Sequence, residues 1–240
     1  MPASQADALG QVAALYDVHG NLPALDAVLE NVPEDASILV GGDVAAGPLP
    51  SETLERLRAL GERVRWIRGN ADRELTPSEQ GLAPPDVIEW VRERLSREQI
   101  AFLHDLPERV ELDVDGLGRV LFCHATPRND TDVFLETTPE AQVAPLFAGL
   151  SADIVLCGHT HMQFEREIAG IRVVNAGSVG MPYEDESGAY WALLGPGIEL
   201  RRTEYDPAAI EASDFPGVAG APRRTRAEVT EFFGTFAVGA

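Results

Sequence analysis

The sequence predicts an α/β protein, and three observations carry that prediction. Strand-like runs recur at residues 12–16, 37–40 and 64–67, the first apolar throughout without clear alternation, as expected of a strand buried on both faces. Between them lie stretches with apolar residues at helical spacing, an alternation that argues for a parallel sheet with helical crossovers. Each run also stops at polar, turn-forming residues, on the edge of an open α/β sheet where ligands collect.

Taken in order, residues 12–16 form the first strand, followed by Asp17-Val18-His19-Gly20-Asn21. Leu22, Leu25, Val28 and Leu29 mark a helix over 22–31, with Pro23 suited to its first turn. The second strand, 37–40, ends in Gly41-Gly42-Asp43, and a helix follows over 51–60 with Ser51 as its expected N-cap. The third, 64–67, ends in Gly69-Asn70-Ala71-Asp72. Residues 74–107 form a helical excursion of two amphipathic segments, 86–95 and 97–106. Its Trp90 and Phe102 are expected in the core, and His104, which fits no motif, is read as structural.

Beyond residue 109 strands dominate. Residues 110–114 alternate, Asp115-Gly116 signals a hairpin, and the return strand 119–123 delivers His124. A helix over 139–150 precedes a strand at 154–157, which ends in Gly158-His159-Thr160-His161. Residues 164–168, 172–175, 189–194 and 198–203 are expected as a second, antiparallel set of strands. The domain is assigned to 1–205. Residues 206–240 are a C-terminal tail, in which 223–240 is expected either as a docked helix or as a loosely held segment.

Composition narrows the function. The net charge is −20 and all 19 basic residues are Arg, so the long-range field repels nucleic acid and anionic membranes and favours a small substrate. The first ten residues lack a signal-peptide pattern, and no run approaches the roughly 20 apolar residues needed to span a bilayer. A cytoplasmic protein is expected, with Cys123 and Cys157 as buried thiols rather than a disulfide. The sequence sets no oligomeric state.

The residues that directly follow strand-like runs include Asp17, His19, Asp43, Asn70, His124, His159 and His161, four of the five histidines among them. Singly, each has an ordinary reading: His124 a satisfied core histidine, Asp43 a turn former, Asn70 a left-handed turn residue. Jointly they read as a metal site. Nitrogen and oxygen donors without thiolate point away from structural zinc. Seven donors exceed one catalytic ion and fit two divalent ions sharing a carboxylate. Such a pair outweighs two aspartates and a bridging hydroxide, leaving a local cation that attracts phosphate.

The series Asp17-x-His19, Gly42-Asp43, Gly69-Asn70, His124 and Gly158-His159-Thr160-His161 resembles the calcineurin-like metallophosphoesterase superfamily across residues 12–194. Residues 17–22 and Asn175-Ala176-Gly177-Ser178-Val179-Gly180 look closest to its compact bacterial and archaeal phosphodiesterase branch. The resemblance implies a four-layer α/β/β/α sandwich of mixed sheets, with the metal site at the C-terminal ends of the strands. It implies that Asp17, His19, Asp43 and His161 hold one ion and Asp43, Asn70, His124 and His159 the other. Asp43, Asn70 and His124 would carry the catalysis. The metals implied are two divalent transition ions, manganese foremost, with iron, nickel, cobalt or zinc as alternatives.

One departure stands out. Many relatives carry a His after Gly-Asn that assists the leaving group, and here that position is Ala71. Its loss favours a phosphodiesterase using a metal-bridging hydroxide over a phosphomonoesterase or nucleotide pyrophosphatase on the same site. Candidate substrate contacts are Asn21, Asp72, Arg73 and Arg128, with Asp72 more readily a supporting residue. Gly177-Ser178 is expected as a turn beneath the site. A non-catalytic scaffold of the same fold, as in a retromer subunit of the superfamily, would be expected to lose ligands, and this chain keeps all seven.

Overall fold

The computed structural model describes residues 8–79, 81–217 and 225–239. The first half follows the expected alternation: β1 (Val12–Leu15), α1 (Leu22–Leu29), β2 (Ser37–Gly41), α2 (Pro50–Arg58) and β3 (Val64–Ile67). The chain then enters a short helix α3 (Asn70–Glu74) and the excursion helices α4 (Pro85–Arg94) and α5 (Arg97–His104). The second half comprises β4 (Arg109–Val114), β5 (Gly118–Cys123), α6 (Glu140–Phe147), β6 (Ile154–Cys157), β7 (Gln163–Ile168), β8 (Ile171–Ala176), β9 (Ala189–Leu194) and β10 (Ile198–Thr203). Helices α7 (Ala208–Glu211) and α8 (Arg226–Gly234) close it.

Two five-stranded sheets result, in the orders β10-β9-β1-β2-β3 and β4-β5-β6-β8-β7. β1, β2 and β3 are parallel neighbours in the first sheet, as are β5, β6 and β8 in the second. The sheets stack on a shared apolar layer that includes Val12, Ala14, Tyr16, Leu39, Ile67, Phe122, Leu156, Val174 and Leu194. Each large side chain fully buried there contributes about 1.5–3 kcal/mol. The outer face of the first sheet packs Ala13, Leu15, Ile38 and Val40 against residues of α1, α2, α4 and α5. The outer face of the second sheet packs Leu121 and Val155 against Val143 and Phe147 of α6. The architecture is therefore α/β/β/α. It also explains the unbroken apolar run of β1, whose odd residues meet the helices while its even ones meet the other sheet.

Three expectations need correction. The strands after residue 163 do not form one antiparallel set. Each of the hairpins β7–β8 and β9–β10 is antiparallel, but they join different sheets, and β8 runs parallel to β6. Ser51 does not cap α2, because Pro50 already occupies the first turn after Leu49, and the Ser51 hydroxyl instead accepts from Gln99 Nε2 at 2.9 Å. Asn70, whose ordinary reading singly is a left-handed turn residue, is not left-handed: it opens a helix over residues 70–74.

Trp90 and Phe102 pack against the core of the first sheet, and His104 ends α5 beside Asp105. Both cysteines are free and buried, and burial pushes the Cys123 thiol up to about 12. Helix α8 lies within the expected tail, of which residues 218–224 and 240 fall outside the described ones. Among the described residues no helix is long and apolar enough to cross a membrane.

Candidate metal centre

The strands β1, β2, β5 and β6 end along one rim of the sandwich, and Asp17, His19, Asp43, His124, His159 and His161 stand just past their C-terminal ends. Asn70 opens α3, three residues past the end of β3. Five of these seven have left-handed backbone: Asp17 (φ 52°), His19 (46°), Asp43 (52°), His159 (66°) and His161 (59°). Non-glycine residues held there cost about 1–3 kcal/mol each and gather at functional sites. Two glycines permit the close approach: a Cβ at Gly69 would strike Asp43 Oδ1, and one at Gly158 would strike Asp17 Oδ2.

Most of the donor side chains are fixed from behind. His19 Nδ1 bonds Ala46 O at 3.0 Å, His124 Nδ1 bonds Gly41 O at 2.9 Å, and His161 Nδ1 bonds Met181 O at 2.7 Å. A ring nitrogen facing a carbonyl carries the proton, so in each neutral ring Nε2 presents a bare lone pair. Asp17 Oδ2 accepts from the His159 N–H at 2.9 Å and Asp43 Oδ1 from the Ala71 N–H at 2.8 Å. Asn70 Nδ2 donates to Glu74 Oε1 at 3.0 Å, which turns Asn70 Oδ1 toward His124 Nε2 at 3.2 Å.

The free atoms converge. Asp17 Oδ1 lies 3.4 Å from His161 Nε2, 3.9 Å from His124 Nε2 and 4.0 Å from His19 Nε2. Asp43 Oδ2 lies 3.5 Å from His124 Nε2 and 3.8 Å from His19 Nε2. Two triads are close enough to hold an ion, Asp17-His19-His161 and Asp17-Asp43-His124. Asp17 is common to both, while Asp43 also reaches histidines of both, so either carboxylate has the geometry of a bridge.

The electrostatics are those of a site built around positive charge. Burial pushes the carboxyls of Asp17 and Asp43 up, but the imidazoles around them, led by His161 and His124 respectively, hold both below the ordinary carboxylate range. For His124 burial opposes protonation, yet Asp43 and Asp17 outweigh it and push the ring up to about 10. Burial and the neighbouring His124 press His159 down to about 4.

These residues fit divalent ions on three counts. The donor set is imidazole, carboxylate and amide oxygen, suited to first-row transition metals. Asp17 Oδ1 and His159 Nε2 are buried with no hydrogen-bond partner, a cost of about 1–3 kcal/mol each if left unmet. The Nε2 atoms of His19 and His161 face each other at 3.2 Å, where two lone pairs require a cation or a proton between them.

Asn21 caps α1 by accepting from the Ala24 N–H, and its amide donates to Gly180 O and Tyr205 Oη. Asp72 is fully buried and accepts the N–H groups of Asp43, Val44 and Gly69, bracing two donor loops. Arg73 pairs with Asp130 at 2.8 Å and Glu79 at 3.3 Å, and the exposed Arg128 with Asp132 at 2.6 Å. Ser178 Oγ donates to Asp17 O and accepts from the Met181 N–H, joining the turn at Gly177 to the first donor loop.

Two contributors escaped the sequence reading. Glu74 orients Asn70 from one helical turn away, a spacing that would have exposed it had residues 70–74 been read as helix. Tyr183 stacks on His161 with ring centroids 5.0 Å apart and an interplanar angle of 17°. Phe233 of α8 lies against Tyr183, and Arg226 anchors that helix through Glu184 and Gln163 O. Nothing local in the sequence marks that contact.

Residues 11–194 match the calcineurin-like phosphoesterase superfamily domain. The chain is 27% identical over 220 residues to the uncharacterized protein MJ0912 of Methanocaldococcus jannaschii, covering 81% of this chain and 88% of that one. It is 23% identical over 188 residues to phosphodiesterase YfcE of Escherichia coli, covering 74% and 83%. Among solved structures, hypothetical protein PH1004 of Pyrococcus horikoshii superposes with a TM-score of 0.73 at 24% identity, covering 96% of this chain and 98% of that one.

Proposed function

The chain belongs to the calcineurin-like phosphoesterase superfamily, and on that premise we propose that it is a phosphodiesterase whose seven donors hold two divalent transition-metal ions. Asp17, His19, Asp43 and His161 would hold one ion and Asp43, Asn70, His124 and His159 the other. The observation that carries this reading is the convergence of Asp17, His19, Asp43, His124 and His161, whose free atoms turn into one small volume beside Asn70 and His159. When bound, the ions would lower the pKa of a water between them and draw charge from the phosphoryl oxygens.

The chain's own part is to hold these donors rigid. Asp43, Asn70 and His124 meet where the two sheets' rims converge, and phosphate bound there would touch the part of the site braced most heavily from behind. Proton delivery to a leaving group is the piece this chain does not supply from position 71. Ala71 is buried and offers only its backbone N–H, already given to Asp43. Asp72 directs both carboxylate oxygens at backbone N–H groups. A phosphodiester carries one negative charge rather than a monoester's two and repels an incoming nucleophile less, so it suits a site that gives the leaving group little help.

The test uses protein stripped of metal, with an aryl phosphodiester and the matching monoester, each assayed with manganese and with chelator. Manganese-dependent cleavage favouring the diester is expected. Preference for the monoester would transfer the assignment to a phosphatase, and cleavage untouched by chelation would remove the metals from the mechanism.

A further inference from the structure

The imidazoles of His19, His124 and His161 are each tied from behind by a carbonyl on Nδ1. One such bond fixes an edge of the ring and leaves the ring free to tilt about it. The Nε2 lone pair lies in the ring plane, so a tilted ring aims it away from an ion. His161 has a further restraint on its face, where the Tyr183 ring stacks with centroids 5.0 Å apart and 17° between planes. The same short segment grips His161 twice more. Met181 O accepts from its Nδ1 at 2.7 Å, and the Tyr183 N–H donates to its carbonyl at 3.1 Å.

Tyr183 is in turn backed by α8. Phe233 of that helix lies 5.9 Å from the Tyr183 ring, and both pack against the buried Leu135, Met162 and Val229. Arg226, at the start of α8, donates to Glu184 and, at 2.8 Å, to Gln163 O, while its backbone N–H meets Asp185 Oδ1 at 3.0 Å. The residues directly after Tyr183 are thus clamped to the helix that carries Phe233.

The stack also acts through charge. An imidazole bound to a divalent ion takes on part of the ion's charge, and the π face of a phenol attracts a positive group set over it. Stacking therefore favours the metal-bound form of His161 over the free one. We propose that Tyr183, backed by α8, is a positioning residue for His161 that raises affinity for the ion held by the triad Asp17, His19 and His161. This rests on the two-metal reading above and deepens it: the C-terminal helix governs one of the two ions and leaves the other, beside Asn70, His124 and His159, untouched.

The test titrates the metal-free full chain with manganese by calorimetry. Tyr183→Leu keeps the bulk and removes the π face. It should weaken one of two sites roughly 3–10-fold, the scale of an aromatic pair, and leave the other unchanged. Tyr183→Phe should bind as wild type does, and Tyr183→Leu should have no effect in a His161→Ala background. Phe233→Ala should weaken the same site by less than Tyr183→Leu. Equal weakening of both sites, no weakening, a Phe variant as weak as the Leu variant, or an effect that persists without His161 overturns the proposal. An unmoved site in Phe233→Ala overturns the part given to α8. If wild type takes up fewer than two manganese ions, the two-metal reading fails on its own. Positioning is then judged without metal, by 13C relaxation of the His161 ring. A lower order parameter in Tyr183→Leu, regained in Tyr183→Phe, sustains it, and an unchanged one overturns it.

Discussion

The two sheets bring unequal chemistry to the same rim. Loops of the first carry Asp17, His19, Asp43 and Asn70, which include both carboxylates and the amide oxygen, and Asp72 and Glu74 brace them from below. Loops of the second carry only imidazoles, His124, His159 and His161. The first set alone concentrates buried negative charge, while the second supplies imidazole nitrogens, of which His124 is pushed up to about 10 by the facing carboxylates. Neither is complete without the other, so an ion held between them would fasten the sheets across the apolar layer.

The largest expected effect comes from removing one donor on either side. Asp43→Ala from the first sheet and His159→Ala from the second should each lower kcat by on the order of 10³ or more, since several kcal/mol of charge stabilisation go with an ion. Circular dichroism should show the fold retained. Activity surviving in both purified variants would dissolve the comparison.

Next in size is the effect of the metal on stability. Manganese at about 100 times its Kd should stabilise the native state by about 2.7 kcal/mol, a rise in Tm of roughly 5–10 °C for a chain of this size. A double variant lacking His159 and His161 sharpens the point. If the ions fasten the sheets, the rise should vanish, and a rise that persists would place the ions on the first sheet alone.

Glu74→Leu tests the bracing, since a Gln amide oxygen could still accept from Asn70. Without the carboxylate that orients Asn70, metal affinity or activity should drop roughly 10–100-fold, measured by manganese titration. An unaltered titration curve would show that Asn70 is held by its helix alone.

The smallest effect belongs to the loop that follows His124. Burial pushes the Asp132 carboxyl up, but Arg128, Asn129 and Thr126 outweigh it and hold the carboxyl below its ordinary value. A group depressed in the folded state adds stability above its unfolded pKa and loses it as the pH falls through the folded value. Asp132→Asn should therefore cost about 0.5–1 kcal/mol at pH 7, since Arg128 is exposed, and nothing once the pH is well below the carboxylate range. Chemical denaturation at both pH values would check this, and an equal cost at both would assign the loss to packing.

How far the sequence reaches follows from how local each signal is. Asp17 to Asn21, Gly42-Asp43 and Gly158 to His161 are short stretches at strand ends, where adjacent residue types announce the turn and the chemistry together. Ala71 was equally legible, a missing side chain at a marked position. Ser51 misled because a cap residue beside Pro50 leaves the helix start ambiguous by one or two positions. The sorting of β7–β8 and β9–β10 into different sheets depends on pairings such as Val12 with Leu194, and hydrophobic pattern alone does not choose between two apolar partners. The stacking of Tyr183 on His161 belongs to the same category.

The position of β1 also bears on how the protein is made. Its partners are β2, nearby in sequence, and β9, which pairs Val12, Ala13 and Ala14 with Leu194, Leu193 and Ala192. At about 5–20 residues per second, a ribosome needs on the order of ten seconds or more to travel from one to the other. Throughout that interval the strand leading to Asp17 and His19 is an apolar edge with one side unpaired, the form most open to wrong partners. The nascent chain is thus exposed along β1 for longer than along strands whose partners are both close in sequence.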